Sequence, residues 1–73
     1  MAKKTRVTNT IRTLRFMAGE MTQQQLADLV GVTRQTVLAV ENGKYSPTLE
    51  LAFAIAKVFE KPLEDVFSIT EEE

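Results

Sequence analysis

Seventy-three residues with a net charge of -1, nine Lys/Arg against ten Asp/Glu and neither cysteine nor histidine, set narrow bounds. A chain this short holds one domain at most, and the missing residue types exclude disulfides, Cys/His metal sites, thiol nucleophiles and imidazole acid–base chemistry. No apolar run reaches the length of a bilayer span, and the basic start MAKKTRVTNT has no apolar region behind it to act as a signal peptide, so a cytoplasmic protein without metal, cofactor or catalytic activity is expected.

In chain order, Lys3 to Val7 reads as a short arm or strand, within an end taken as flexible over residues 1–7. Ile11, Leu14 and Met17 or Ala18 recur at helical spacing and predict a first helix over about Asn9 to Ala18, closed by Gly19. Thr22 and Gln25 form a Thr-x-x-Gln capping box, in which the hydroxyl accepts from the backbone three residues on and the Gln side chain reaches back. A second helix therefore starts there and runs to about Val30, with Leu26, Ala27, Leu29 and Val30 inward and Gly31 closing it. Thr33 caps a third helix, about Arg34 to Glu41, whose Val37 and Val40 face back and which Asn42-Gly43 ends. The fourth runs from a cap at Ser46, Pro47 or Thr48 to about Phe59; its sequence LELAFAIAKVF is apolar on nearly every side, as suits a core helix. The fifth starts near Pro62, at a first helical position, and ends near Phe67. FSIT adds a brief extended segment, and residues 70–73 read as a frayed, solvated end.

Charge is segregated along the chain. Residues 1–49 carry seven Lys/Arg against three Asp/Glu, whereas residues 50–73 carry two against seven. Such a division suits one face for an anionic partner and another kept off it, or is solvated surface only. Lys3, Lys4 and Arg6 either reach phosphates or the minor groove or form a mobile basic tail. Glu64, Asp65 and Glu71 to Glu73 read as a solubilising face, their spacing fitting no divalent-ion loop. Ser46 and Ser68 have no base to activate them.

The segment from Met21 to Gly43 joins two short helices through a glycine with no room for a loop. A helix-turn-helix sets its helices at a steep angle across such a turn, so that the second projects from the body. Close approach needs a small residue on the first helix, Ala27, and the turn needs one that tolerates positive φ, Gly31. Val32, Val37 and Val40 then oppose Leu26 and Val30, leaving Thr33, Arg34, Gln35, Leu38, Ala39 and Asn42 facing outward. Arg presents paired donors to guanine O6 and N7, Gln pairs with adenine N6 and N7, and a small apolar group meets a thymine methyl. The plainer reading leaves Arg34 and Gln35 as first-turn surface residues. Against it, Arg at a helix N-terminus opposes the macrodipole unless an anion lies nearby.

The string TQQQLADLVGVTRQTVLAVENGKYSPTLELAFAIAKVF resembles the Cro/cI-type helix-turn-helix family, also called the XRE family, of phage repressors and small prokaryotic regulators. The resemblance covers about Ile11 to Phe67 and implies an all-α, five-helix, lambda-repressor-like fold that binds double-stranded DNA through the unit at about residues 22–43. It implies phosphate contacts from Gln23, Asn42, Lys44 and Tyr45 and base contacts from Arg34, Gln35, Thr36 and Ala39. On the same outward face Thr33 is read with the phosphates and Leu38 with the bases, although Leu38 stands where polar residues are commoner and either packs on the neighbouring turn or touches a methyl. It also implies a structural ion pair between Arg15 and Glu41, although RFMAGEMT is one residue longer than the common spacing between the first two helices.

Phe53, Phe59, Val66 and Phe67 exceed what so small a core encloses, which marks either an interface or the completion of a monomer's core. The interface reading gives a homodimer through Phe53, Val66, Phe67 and Ile69, with short terminal β-segments at the contact. Small family members such as the cytolysin repressor are similar in having an extended segment after helix five and in pairing through that region. A homodimeric repressor on a palindromic site is thus expected. The alternatives are an antitoxin of a toxin–antitoxin pair and a protein-interaction module that has lost DNA binding.

Overall fold

The computed structural model describes residues 4–72, which run in the order β1 (Lys4–Asn9), α1 (Ile11–Met17), α2 (Gln23–Val30), α3 (Arg34–Glu41), α4 (Leu49–Val58), α5 (Leu63–Val66) and β2 (Phe67–Glu72). Five helices therefore surround one core, to which each contributes: Ile11 from α1, Leu26 and Ala27 from α2, Val37 and Val40 from α3, Ile55 and Ala56 from α4, and Val66 from α5. α2 packs on both α3 and α4, so it is the central strut of the bundle. Among the described residues the fully buried core is made of apolar residues alone, and no helix is long and apolar enough to cross a membrane.

Local chemistry sets most helix starts. Threonine caps α2, α3 and α4, its hydroxyl accepting from the backbone of Gln25, Thr36 and Leu51 respectively. Pro62 stands as the N-cap of α5, with ψ of 154, one residue before the helical position expected for it.

At the ends, the strand reading of the N-terminal arm and the extended segment after α5 meet in one element: residues 4–9 and 67–72 lie in an antiparallel ribbon, paired from Lys4↔Glu72 through Asn9↔Phe67. The physical reason is long-range: α1 begins where α5 ends, the Thr10 N–H donating to the Val66 carbonyl at 2.9 Å and its hydroxyl to the Asp65 carbonyl at 2.8 Å. Once those ends are fixed together, the flanking segments meet and zip. The two segments pair with each other within the chain. Lys3 and Glu73 lie outside the described residues.

Four apolar expectations also change. Leu29, expected inward, is 62% exposed, because on α2 the stripe Leu26–Ala27–Val30 faces the core and position 29 lies roughly a quarter-turn or more to its side. Met17 and Ala18 both end on the surface of α1. α4 is buried only along Ala52, Ile55 and Ala56, leaving Leu49 and Phe53, one turn apart, exposed. Val66, expected at an interface, is 1% exposed and belongs to the protomer's own core, where it has no surface to offer a partner.

Candidate nucleic-acid interface

The corner between α2 and α3 is fixed at both ends. On α2 the capping box closes reciprocally: the Gln25 N–H donates to the Thr22 hydroxyl at 3.0 Å and the Thr22 N–H to the Gln25 side-chain Oε1 at 2.8 Å. Gly31 then takes the left-handed conformation, φ 76 and ψ 34, which turns the chain. The Val32 N–H folds back onto the Ala27 carbonyl at 3.0 Å. After three turn residues α3 begins, the Thr33 hydroxyl accepting from the Thr36 N–H at 3.2 Å and sharing a hydrogen bond with the Thr36 hydroxyl at 3.0 Å. Val37 and Val40 anchor its inner face against fully buried Leu26 and Ala27.

Its other face is open. Thr33, Arg34, Gln35, Leu38 and Asn42 are exposed, with Thr36 and Ala39 half-buried between them. Lys44 and Tyr45 stand exposed in the following turn, beside Asn42, and Gln23 is half-buried at the first position of α2. The N–H groups of Gln23 and Gln24 on α2, and of Arg34 and Gln35 on α3, precede the first intrahelical bonds and face solvent-accessible ends. These are the donors that anions take at helix starts.

Electrostatics follow the same division. The first turns of α1, α2 and α3 contain no acidic residue, whereas those of α4 and α5 carry Glu50, Glu64 and Asp65. α3 has one carboxylate, Glu41, and it is turned away from the outer face. Arg15 holds it in a two-point pair, Nε to Oε2 at 2.6 Å and Nη2 to Oε1 at 3.0 Å. The third nitrogen of Arg15, Nη1, donates to the Met21 carbonyl at 2.8 Å, and Gln23 Nε2 approaches Glu41 Oε1 at 3.4 Å. With side chains 14% and 6% exposed, this pair locks α1, α2 and α3 together and neutralises the charge that would repel a phosphate.

Among the remaining expected positions, Phe53 and Ile69 are exposed and Phe67 is half-buried. Phe67 and Ile69 line an apolar groove with Val7, Leu49, Ala52 and Leu63, from which Phe53 is absent. Sequence reasoning missed Asn9, assigned above to the start of α1. Its carboxamide bridges two elements: Oδ1 accepts from the Ile11 N–H at 3.1 Å while Nδ2 donates to the Val40 carbonyl at 2.9 Å. The only local signal is an Asn two residues ahead of a helix start, and that signal is silent about the partner 31 residues away.

A family model described as helix-turn-helix matches residues 11–66. A protein of Archaeoglobus fulgidus is 53% identical over 53 residues, 73% of this chain and 75% of its own length. One of Bacillus subtilis is 48% identical over 64 residues, 88% of this chain and 96% of its own length. Each of these relatives bears the name "uncharacterized HTH-type transcriptional regulator".

Proposed function

The chain belongs to the helix-turn-helix family of Cro/cI (XRE) type, and from that premise we propose that it is a sequence-specific transcriptional regulator that binds double-stranded DNA with α3 in the major groove. The observation that carries this reading is the acid-free outer edge of α3, where Arg34, Gln35, Leu38 and Asn42 are exposed while Glu41 is sequestered by Arg15. In the proposed complex Arg34 and Gln35 read base edges, with Thr36, Leu38 and Ala39 meeting bases or thymine methyls. Gln23, Thr33, Asn42, Lys44 and Tyr45 lie along the phosphates and fix the register.

Selection of bound sites from random duplex, followed by titration of the selected and random duplexes at several salt concentrations, tests the proposal. Arg34→Ala is expected to relax preference at one base pair and to cost about 1–3 kcal/mol there, whereas Lys44→Ala weakens binding on every sequence and lowers the salt slope by about one. Equal affinity of the wild type for selected and random duplexes would contradict sequence-specific reading.

The regulator is further proposed to act as a homodimeric repressor. Support comes from the exposed apolar side chains Leu49 and Ile69, which line the groove at α4, α5 and β2, and from exposed Phe53 one turn from Leu49 on α4. Two-fold pairing places two α3 helices on half-sites about 10 base pairs apart, hence a palindromic operator.

A further inference from the structure

α3 is eight residues long, and its two ends are held by different means. Its start is fixed by the Gly31 corner and the Thr33 cap. Its last turn has carbonyls that no later helical residue can satisfy. The Asn42, Lys44 and Gly43 N–H groups serve Leu38, Ala39 and Val40 at 3.0, 2.9 and 3.1 Å. Asn9 Nδ2 adds a second bond to Val40 and leans toward the Glu41 carbonyl at 3.5 Å. Among the described residues, Asn9 supplies the one side-chain bond to the backbone of α3 from outside that helix and its cap. Asn9 ends β1, so the bond ties α3 to the terminal ribbon, across a cleft that Val7, Thr8, Asn42 and Lys44 also line.

We propose that Asn9 is a positioning residue for DNA reading: its carboxamide sets the far end of α3, and with it the reach of Leu38, Ala39 and Asn42. This inference rests on the DNA-binding reading above. An eight-residue helix is about 12 Å long, so a pivot of roughly 5° at the Gly31 corner moves the far end by about 1 Å. That shift takes a hydrogen bond from good geometry to none. The near end, with Arg34 and Gln35, moves little.

Two substitutions separate this role from the turn that Asn9 makes at the start of α1. Asn9→Ser and Asn9→Asp both keep an oxygen that can accept from the Ile11 N–H, and both lose the Nδ2 donor to Val40: ionised Asp has no donor, and the Ser hydroxyl sits one bond short of the amide's reach. The added charge of Asp weakens binding to all duplexes alike, because phosphate repulsion carries no sequence information. Affinities of wild type, both variants and Arg34→Ala are measured on a selected site, its single-base-pair changes and random duplex, well below each thermal midpoint. The ratio of selected-site to random affinity is expected to fall about fivefold in both variants, the net worth of one such hydrogen bond. The loss of discrimination should sit at base pairs different from those Arg34→Ala affects. An unchanged ratio, or a loss at the same base pairs as Arg34→Ala, overturns the positioning role while leaving DNA reading intact. No preference in the wild type itself overturns both.

Discussion

Glu41 shows how one side chain serves both stability and function. Left free, it would place a negative charge at the end of α3; paired with Arg15 at 2.6 Å it instead joins three helices. Removing one partner strands a largely buried charge, so Arg15→Met is expected to lower unfolding free energy by about 3 kcal/mol, and Arg15→Met with Glu41→Leu to recover much of that loss. Denaturant titration of the single and double variants checks it; equal losses in both would place the effect in packing instead. Gly31 offers a complementary case. A Cβ built there meets nothing within 4 Å, so Gly31→Ala carries only the backbone penalty of its φ of 76, about 1–2 kcal/mol. A larger loss in thermal or chemical unfolding would mean that the corner itself rearranges. Caps such as Thr22 and Thr33 were legible in the sequence because their partners lie three residues away. Asn9 was not, because its partner on α3 is fixed by tertiary contact.

At the scale of elements, α3 was read from sequence with its observed limits, Arg34 to Glu41, since a cap, an inward valine pair and a closing Asn-Gly all agree. α2 and α3 depend on one another through Ala27, which has no exposed surface. Enlarging it in Ala27→Leu forces the helices apart and is expected to cost about 1–3 kcal/mol, with DNA affinity falling more than stability alone explains; unaltered affinity would show that the corner tolerates the spread. The terminal ribbon was legible only in part: Lys3 to Val7 read as an arm or strand and FSIT, with its apolar–polar alternation, as an extended segment, but their pairing is set by tertiary contact, where α1 and α5 bring Lys4–Asn9 and Phe67–Glu72 together. For the same reason Val66 reads as surplus apolar surface in the sequence and turns out to fill the core.

Across the whole molecule, the charge division along the sequence is kept in the helices, with first turns free of acid on α1, α2 and α3 and acidic ones on α4 and α5, but not in the ribbon, where Lys4 of β1 pairs opposite Glu72 of β2. Leu49 and Phe53 are exposed on α4 and Ile69 on β2, and Leu49 and Ile69 line the apolar groove proposed above to receive a partner copy. Phe53→Lys is accordingly expected to convert a dimer to a monomer in sedimentation equilibrium with helical content unchanged, and a wild-type monomer would remove the palindrome from the account. The central claim, that α3 lies in the major groove, is met most directly by methylation interference on a selected site. One reagent marks guanine N7 in the major groove and adenine N3 in the minor groove. Binding is predicted to be blocked by N7 methylation of guanines in each half-site and indifferent to N3 methylation of adenines there; loss of binding through adenine N3 alone, or through neither, would contradict it.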